Sequence, residues 1–153
     1  MAQASALYST ALELAREERF EDARQVFERV ITECPSWQKP WVSYAQMEKR
    51  AAMKRGQEQL QYDATVSADK WNRCREVLLR ALHLNPHSAK IIQAWGLMEL
   101  QKGNLLSAVK LLERCATYDP QCAPVLRWKP VKEAAAAMVA RQQMKKQTKE
   151  IIS

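Results

Sequence analysis

Histidine and cysteine are the residues of this chain with the widest catalytic and metal-binding chemistry. His83 and His87 flank Pro86 at the end of a helical pattern, where contacts with a helix end suit them better than general-base catalysis. Neither a CxxC pair nor zinc-ligand spacing to a histidine occurs among the four cysteines, which are Cys34, Cys74, Cys115 and Cys122. We therefore expect reduced cysteines that act as small apolar side chains in a non-oxidising compartment.

Sequence motifs of enzymes are also missing. The chain has no GxSxG, no glycine-rich phosphate loop, no HExxH and no paired carboxylates in a plausible cleft. These observations predict a protein that is not an enzyme, with no cofactor, no metal and no small-molecule substrate. They leave binding of another macromolecule as the expected activity.

Positive charge is the chemical property of this chain that says most about its ligand. The net charge is +7, and residues 129–153 contribute six Lys or Arg against two Glu. This balance suits an anionic partner: RNA, an acidic protein or a membrane surface. Since no run approaches 18 apolar residues, we expect no membrane span. The candidate contacts in this basic tail are Arg141, Lys145, Lys146 and Lys149.

An internal repeat organises the chain as helices. Pro35, Pro86 and Pro120 each end a helical pattern, and the same ladder of side chains precedes each of them. A small residue lies twelve positions before, a large apolar one eight before, and another small or apolar one five before: Ala23, Phe27 and Val30; Cys74, Leu78 and Ala81; Ala108, Leu112 and Cys115. Such offsets form one stripe of a helix, so they predict three copies of one amphipathic helix.

A second helix precedes each copy, so the pattern predicts three helical hairpins. A small residue recurs at one site in these first helices, at Ala11, Ala45 and Gly96. Two helices can cross closely only where one presents little side chain, which explains the recurrence. In the first repeat the packing positions are predicted to be Leu7, Thr10, Ala11 and Leu14.

The spacing resembles the tetratricopeptide repeat (TPR), a helix-turn-helix of 34 residues, which is the separation of Pro86 and Pro120. Trp41, Tyr44 and Glu48, with the pairs Glu28-Arg29 and Glu113-Arg114, are similar to the half-a-TPR (HAT) variant of RNA-processing proteins. The mixture of ordinary and half-a-TPR repeats is closest to chloroplast factors that stabilise transcripts. The resemblance covers roughly residues 6–120 and implies an all-α, right-handed α-α superhelix of about three hairpins.

The predicted boundaries follow this repeat. Repeats at about 4–35, 37–86 and 88–120, with a partial fourth at 121–128, form a repeat domain of residues 1–128. Seventeen extra residues in the second repeat should lengthen its first helix by two or more turns, followed by a loop near 63–66 and an N-cap at Ser67. A short helix at 122–128, a kink at Pro130 and a long helix from about Val131 to Ile151 should follow. Residues 129–153 thus form a basic C-terminal helix whose first half caps the repeats.

The resemblance also implies where a ligand binds, because the first helices of tetratricopeptide proteins line a concave groove. The groove positions are Tyr8, Arg16, Lys39, Gln46, Lys49, Arg50, Lys90, Gln93 and Arg127, with Tyr8 as a stacking or capping group. Basic and amide side chains dominate this set.

Two functions remain open from the sequence. One is a protein–protein scaffold that docks an acidic or amphipathic segment in an RNA-processing, translation or organelle assembly complex. The other is direct binding of single-stranded RNA. Three repeats give a short groove, which favours the scaffold. The compartment is also open between chloroplast, with a targeting segment absent from this chain, and nucleus.

Overall fold

Helices account for the regular structure of residues 2–59 and 71–152, which are the residues that a computed structural model of the chain describes. No strand occurs among them, which confirms the prediction of an all-α protein. The elements are α1 (Ala2–Arg16), α2 (Phe20–Glu33), α3 (Gln38–Gln59), α4 (Asn72–Leu84), α5 (Ala89–Lys102), α6 (Leu105–Tyr118), a 3-10 helix (Pro120–Arg127) and α7 (Lys129–Ile152).

Two compact units divide the chain, an N-terminal unit of Met1–His87 and a C-terminal unit of Ser88–Ser153. In the N-terminal unit α1 packs on α2 and α3 on α4, and in the C-terminal unit α5 packs on α6. The repeated pattern predicted these three pairs. Their second helices bury the predicted ladder completely or almost completely, from Ala23 to Cys115.

The same cap ends all three second helices. Cys34, Asn85 and Asp119 each donate their backbone N–H to the carbonyl four residues earlier, at 2.9 Å. Each of these residues precedes a proline, whose ring disfavours the helical conformation of its predecessor. The prolines therefore stop the helices at equivalent positions, as the sequence predicted.

Two of the hairpin turns share a left-handed residue. Gly103 has φ 92° and follows α5, while Glu18 has φ 60° and follows α1. In both turns the next N–H reaches back five residues at 2.9 Å, from Asn104 to Glu99 and from Arg19 to Leu14. Glycine adopts this backbone conformation without steric cost, whereas a glutamate does not. The α1–α2 turn contains no glycine, so nothing in the sequence marks Glu18 as its left-handed residue.

Close helix approach is visible at Gly96. A Cβ built on this residue would lie 2.8 Å from Leu112 Cδ2 and 2.9 Å from its Cγ. The matching alanines of the other two pairs, Ala11 and Ala45, are likewise buried. The small residue in each first helix is thus explained by the space that a side chain of the second helix occupies there.

The second repeat has the long first helix that the sequence predicted. Helix α3 has 22 residues, against 15 in α1 and 14 in α5, which is about two turns more than α5. The predicted loop at 63–66 and the N-cap at Ser67 lie outside the described residues. Helix α4 begins at Asn72.

The C-terminal unit ends in a short helix, a break and a long helix. The short helix is a 3-10 helix with Pro124 inside it, and Trp128 then adopts an extended conformation before α7. Pro130 lies in the first turn of α7, where its missing N–H leaves no hydrogen bond unmade. Val131 packs with Leu112 and Val125 in a buried cluster, whereas every residue at positions 139–152 is exposed. The first turns of α7 therefore cover α6, as a cap would.

Candidate interaction surfaces

One exposed face of α3 gathers four of the predicted binding residues. Lys39, Gln46 and Arg50 are exposed, and Lys49 lies beside them, half-buried. Positions 39, 46 and 50 differ by seven and eleven residues, spacings that return to the same side of a helix. Met53 continues the row and is 43 % exposed. We call this row, with Val42 at its edge, the α3 face.

Carboxylates are absent from the α3 face because the one acidic residue of positions 38–55 points inward. Glu48 is 2 % exposed and accepts hydrogen bonds from the Arg24 guanidinium of α2. Arg24 is also paired with Glu21 at 3.0 Å. Burial disfavours the charged form of Arg24, but the two carboxylates outweigh it and raise its pKa. The buried pair thus keeps the one carboxylate of positions 38–55 off the α3 face, while Glu18 of the α1–α2 turn pairs with Lys54 and interacts electrostatically with Arg50.

A second network fixes the opposite side of α3. Glu28 accepts two hydrogen bonds from Arg80 of α4, at 2.7 and 3.0 Å, and one from the Tyr44 hydroxyl at 3.0 Å. The Arg80 contact lowers the pKa of Glu28, while burial and the Glu28 charge raise the pKa of Tyr44. The guanidinium of Arg80 also lies 5.6 Å from the centroid of the Trp41 ring. Three helices are therefore linked by one carboxylate, which fixes the orientation of the α3 face.

Lys49 contacts an aromatic ring as well as solvent. Its ammonium lies 5.6 Å from the centroid of Trp71, directly before α4, a distance at which a cation is attracted to the ring. Trp71 is half-buried. The cation is held near the surface rather than extended into solvent.

Tyr8 does not fit the role of a stacking or capping group, because it is buried with 8 % of its surface exposed. Its hydroxyl hydrogen-bonds Ser43 Oγ at 2.7 Å, and its ring packs edge-on against Trp37 at 5.1 Å. The buried face of α1 runs through Ala4, Tyr8, Ala11 and Ala15. Of the predicted packing positions only Ala11 is fully buried, whereas Leu7 and Leu14 are half-buried and Thr10 is exposed. The packing face of α1 is therefore rotated from the one the repeat comparison gave.

The other predicted groove residues lie on separate elements. Arg16 is exposed at the end of α1 in the N-terminal unit. In the C-terminal unit Lys90 and Arg127 are exposed on α5 and the 3-10 helix. Gln93 is half-buried, and its side-chain oxygen accepts a hydrogen bond from the Cys122 thiol at 3.6 Å. Gln93 therefore has a structural contact of its own.

The basic tail is fully accessible. Its four predicted contacts, Arg141, Lys145, Lys146 and Lys149, are all exposed on α7. Positions 141, 145 and 149 continue the side of α7 that buries Val131 and Ala134 near its start. The helix face that is apolar against the core thus becomes basic where it leaves the core.

The tryptophans divide by exposure. Trp41 is buried and donates its indole N–H to the Pro35 carbonyl at 2.9 Å, and Trp95 donates to Glu99 at 3.2 Å. Both indole N–H groups are therefore satisfied within the fold. Trp128 is 49 % exposed, between the exposed side chains of Arg127 and Lys129.

Thiol and metal chemistry receive no support from the geometry. Burial raises the pKa of the Cys115 thiol, and its hydrogen bond with the Cys122 thiol raises it further. Cys115 Sγ also donates to the Ala89 carbonyl at 3.2 Å. All four cysteines are free, and in residues 2–59 and 71–152 no group of three or more His, Cys, Asp or Glu could hold a metal ion.

The N-terminal unit also contains a basic pocket that the sequence did not predict. It has a volume of about 250 Å³ and lies where the α1–α2 turn meets the second half of α3 and the start of α4. Its basic lining residues are Arg24, Lys54, Arg55 and Arg73. The run Lys54-Arg55 was visible in the sequence, but nothing in it indicated that Arg73 lies nearby.

No family model matches this chain, and no curated protein matches it. Within the described part of the chain, no helix is both long enough and apolar enough to cross a membrane.

Proposed function

We propose that this protein is a helical-repeat interaction module that docks an acidic, partly apolar segment of a partner protein on the α3 face. It would act as a scaffold in an RNA-processing, translation or organelle assembly complex. The observation that carries the proposal is the composition of that face: Lys39, Lys49 and Arg50 stand beside Val42 and Met53, and α3 adds no exposed carboxylate to them over positions 38–55.

The kinship with half-a-TPR repeats, and the right-handed superhelix it implies, are part of the proposal. Three helix pairs with the same buried ladder, the same caps before proline and a small residue at the crossing support it. Glu48 and Glu99 occupy matching positions and are both buried. In proteins built of such hairpins the first helices form the binding surface, which is the role we assign to α3.

A protein segment suits the α3 face better than a phosphate backbone. Phosphate binding needs cations and polar donors, so the exposed thioether of Met53 and the side chain of Val42 would contribute nothing to it. An acidic amphipathic helix uses both kinds of side chain, since its carboxylates pair with the cations while its apolar residues cover the apolar positions. Methionine adapts readily to different apolar partners.

Binding of a labelled amphipathic peptide made of Glu and Leu, followed by fluorescence anisotropy at low salt, tests the proposal. The double variant Lys39→Glu/Arg50→Glu should weaken binding at least tenfold, because it reverses two cations of the face. Arg29→Glu/Lys110→Glu is the charge-matched control, since both residues are exposed and lie on α2 and α6. Replacing every Leu of the peptide by Ser should also weaken binding. Equal losses in the control and the double variant would show non-specific charge attraction and refute the proposal.

RNA binding remains a second candidate because of Trp128. An exposed indole between Arg127 and Lys129 combines a base-stacking surface with phosphate-binding cations. Titration with a single-stranded oligouridylate across a salt series tests it. Affinity that falls steeply with salt and drops with Trp128→Ala would favour RNA. No binding at low salt would exclude it.

A further inference from the structure

The basic pocket of the N-terminal unit contains more positive charge than its own carboxylates neutralise. Arg24 forms ion pairs with Glu48 and Glu21, and Lys54 forms one with Glu18. Arg55 and Arg73 are exposed, and no carboxylate among the described residues pairs with either of them. Within residues 2–55 and 71–152, these two guanidinium groups of the lining are thus left without a carboxylate partner.

The pocket walls favour a compact ligand group. Phe20 is half-buried and Ala51 is buried, so an aromatic ring and a methyl group form the apolar part of the lining. A volume of about 250 Å³ is below the range of about 300–1,000 Å³ in which cofactors and drug-sized molecules bind. A single charged group on a larger molecule fits this size better than a whole nucleotide cofactor.

One residue at the pocket rim has an unfavourable backbone conformation. Glu18 takes the left-handed position that glycine holds in the α5–α6 turn. Its carboxylate binds the Lys54 ammonium, and this contact lowers the pKa of Glu18. The ion pair thus holds Lys54 at the pocket, which Arg55 and Arg73 also line.

We propose that this pocket binds a phosphate monoester, in the form of a phosphorylated side chain of a partner protein. Guanidinium groups match phosphate oxygens with paired hydrogen bonds, which makes arginine the preferred phosphate ligand. A monoester carries nearly two negative charges at neutral pH, enough to neutralise Arg55 and Arg73 together. An internal phosphodiester of RNA carries one charge, and so does a carboxylate, so either would leave one of the two arginines unneutralised.

This inference extends the proposed function, because the phosphorylated residue would belong to the segment docked by the scaffold. The two can fail separately. The pocket lies at the α1–α2 turn, whereas the α3 face is defined by Lys39, Gln46 and Arg50, none of which lines the pocket. Arg50 interacts electrostatically with Glu18 of the pocket, so the variant that separates the two proposals is Lys39→Glu alone. It should leave phosphate binding intact, even if it weakens capture of the acidic peptide.

Nuclear magnetic resonance titration of the full chain at low salt provides the test. The probe is a blocked pentapeptide of alanines with a central phosphoserine, compared with the same peptide containing serine. We expect the phosphopeptide to bind at least fivefold more tightly and to shift the backbone amides of residues 17–20. The double variant Arg55→Gln/Arg73→Gln should weaken it at least fivefold. The charge-matched control Arg29→Gln/Lys110→Gln should change it less than twofold, because both residues are exposed and outside the pocket.

Three outcomes would overturn the proposal. The first is equal affinity for the phosphorylated and unphosphorylated peptides. The second is an equal loss in the pocket variant and the control variant, which would indicate general charge attraction. The third is tighter binding of a 5′-phosphorylated oligouridylate than of the phosphopeptide, lost in Arg55→Gln/Arg73→Gln, which would assign the pocket to an RNA end. Thermal melting of each variant, with a midpoint near that of the natural chain, confirms that the losses do not come from unfolding.

Discussion

Gly96 gives the sharpest test of the packing logic, because a single methyl group decides it. In Gly96→Ala the new Cβ would lie 2.8 Å from Leu112 Cδ2, whereas ordinary contacts begin at 3.4 Å. Leu112 would have to retreat by about 0.6 Å, the difference between the two distances. It is 1 % exposed and packs against Val125 and Val131, so its displacement would disturb these buried contacts.

The net effect follows from two opposing quantities. Overpacking of a dense core costs about 1–3 kcal/mol, while alanine is favoured over glycine inside a helix by about 1 kcal/mol. We therefore expect Gly96→Ala to lower the free energy of unfolding by about 1 kcal/mol. For a chain of this length that corresponds to a fall of about 2–4 °C in Tm. Ala136→Gly, at an exposed position of α7, measures the propensity difference by itself.

A double-mutant cycle with Leu112→Ala separates the clash from other effects. Leu112→Ala alone should cost about 2–5 kcal/mol, because it leaves a cavity. In the Gly96→Ala background it should cost at least about 1 kcal/mol less, since the added methyl group fills part of that cavity and the clash disappears. Urea denaturation of the four proteins gives these values. Additive effects, or a Gly96→Ala protein more stable than the natural chain, would refute the close-approach explanation.

Two further predictions concern charge and capping. Because Arg80 lowers the pKa of Glu28, the stabilisation from this carboxylate is complete above its ordinary pKa of 4.5 and is lost as the pH falls through the lowered value. The stability difference between the natural chain and Glu28→Gln should thus be constant from pH 5 to 7 and shrink below it in urea titrations; an unchanged difference at pH 3.5 would contradict this. A chain ending at Val139 should melt like the full chain, since residues 140–152 are exposed. A chain ending at Trp128 should be much less stable or aggregate, because Leu112 and Val125 lose the cover of Val131. Identical melting of both truncated chains would show that α7 is not a cap.

Local chemistry explains what could be predicted. Helix ends before Pro35, Pro86 and Pro120 follow from the restriction that proline places on the residue before it, and this needs no tertiary context. The small residue at Gly96 and the ladder around Leu112 follow from helical periodicity. Both kinds of signal repeat three times in register, which made the hairpins and the long α3 predictable.

Periodicity shows which face of a helix is buried, but it does not show which side chains of other helices lie against that face. The surroundings of Tyr8 and Glu48 depend on those other helices. Tyr8 was assigned to a surface, yet Ser43 and Trp37 enclose it. Glu48 was one member of a motif, and only the folded unit shows that it points inward to Arg24 and adds no carboxylate to the α3 face.

The basic pocket depends even more on tertiary structure. Arg55 and Arg73 are separated by 18 positions in the chain, and they share one pocket because α4 packs on α3 beside the α1–α2 turn. The sequence by itself determined the helices, their ends and their buried ladder, since these follow from interactions within a few turns of one helix. Only the tertiary structure decided which charges are paired and which remain for a ligand, because an ion pair depends on a distance between helices that no local pattern encodes.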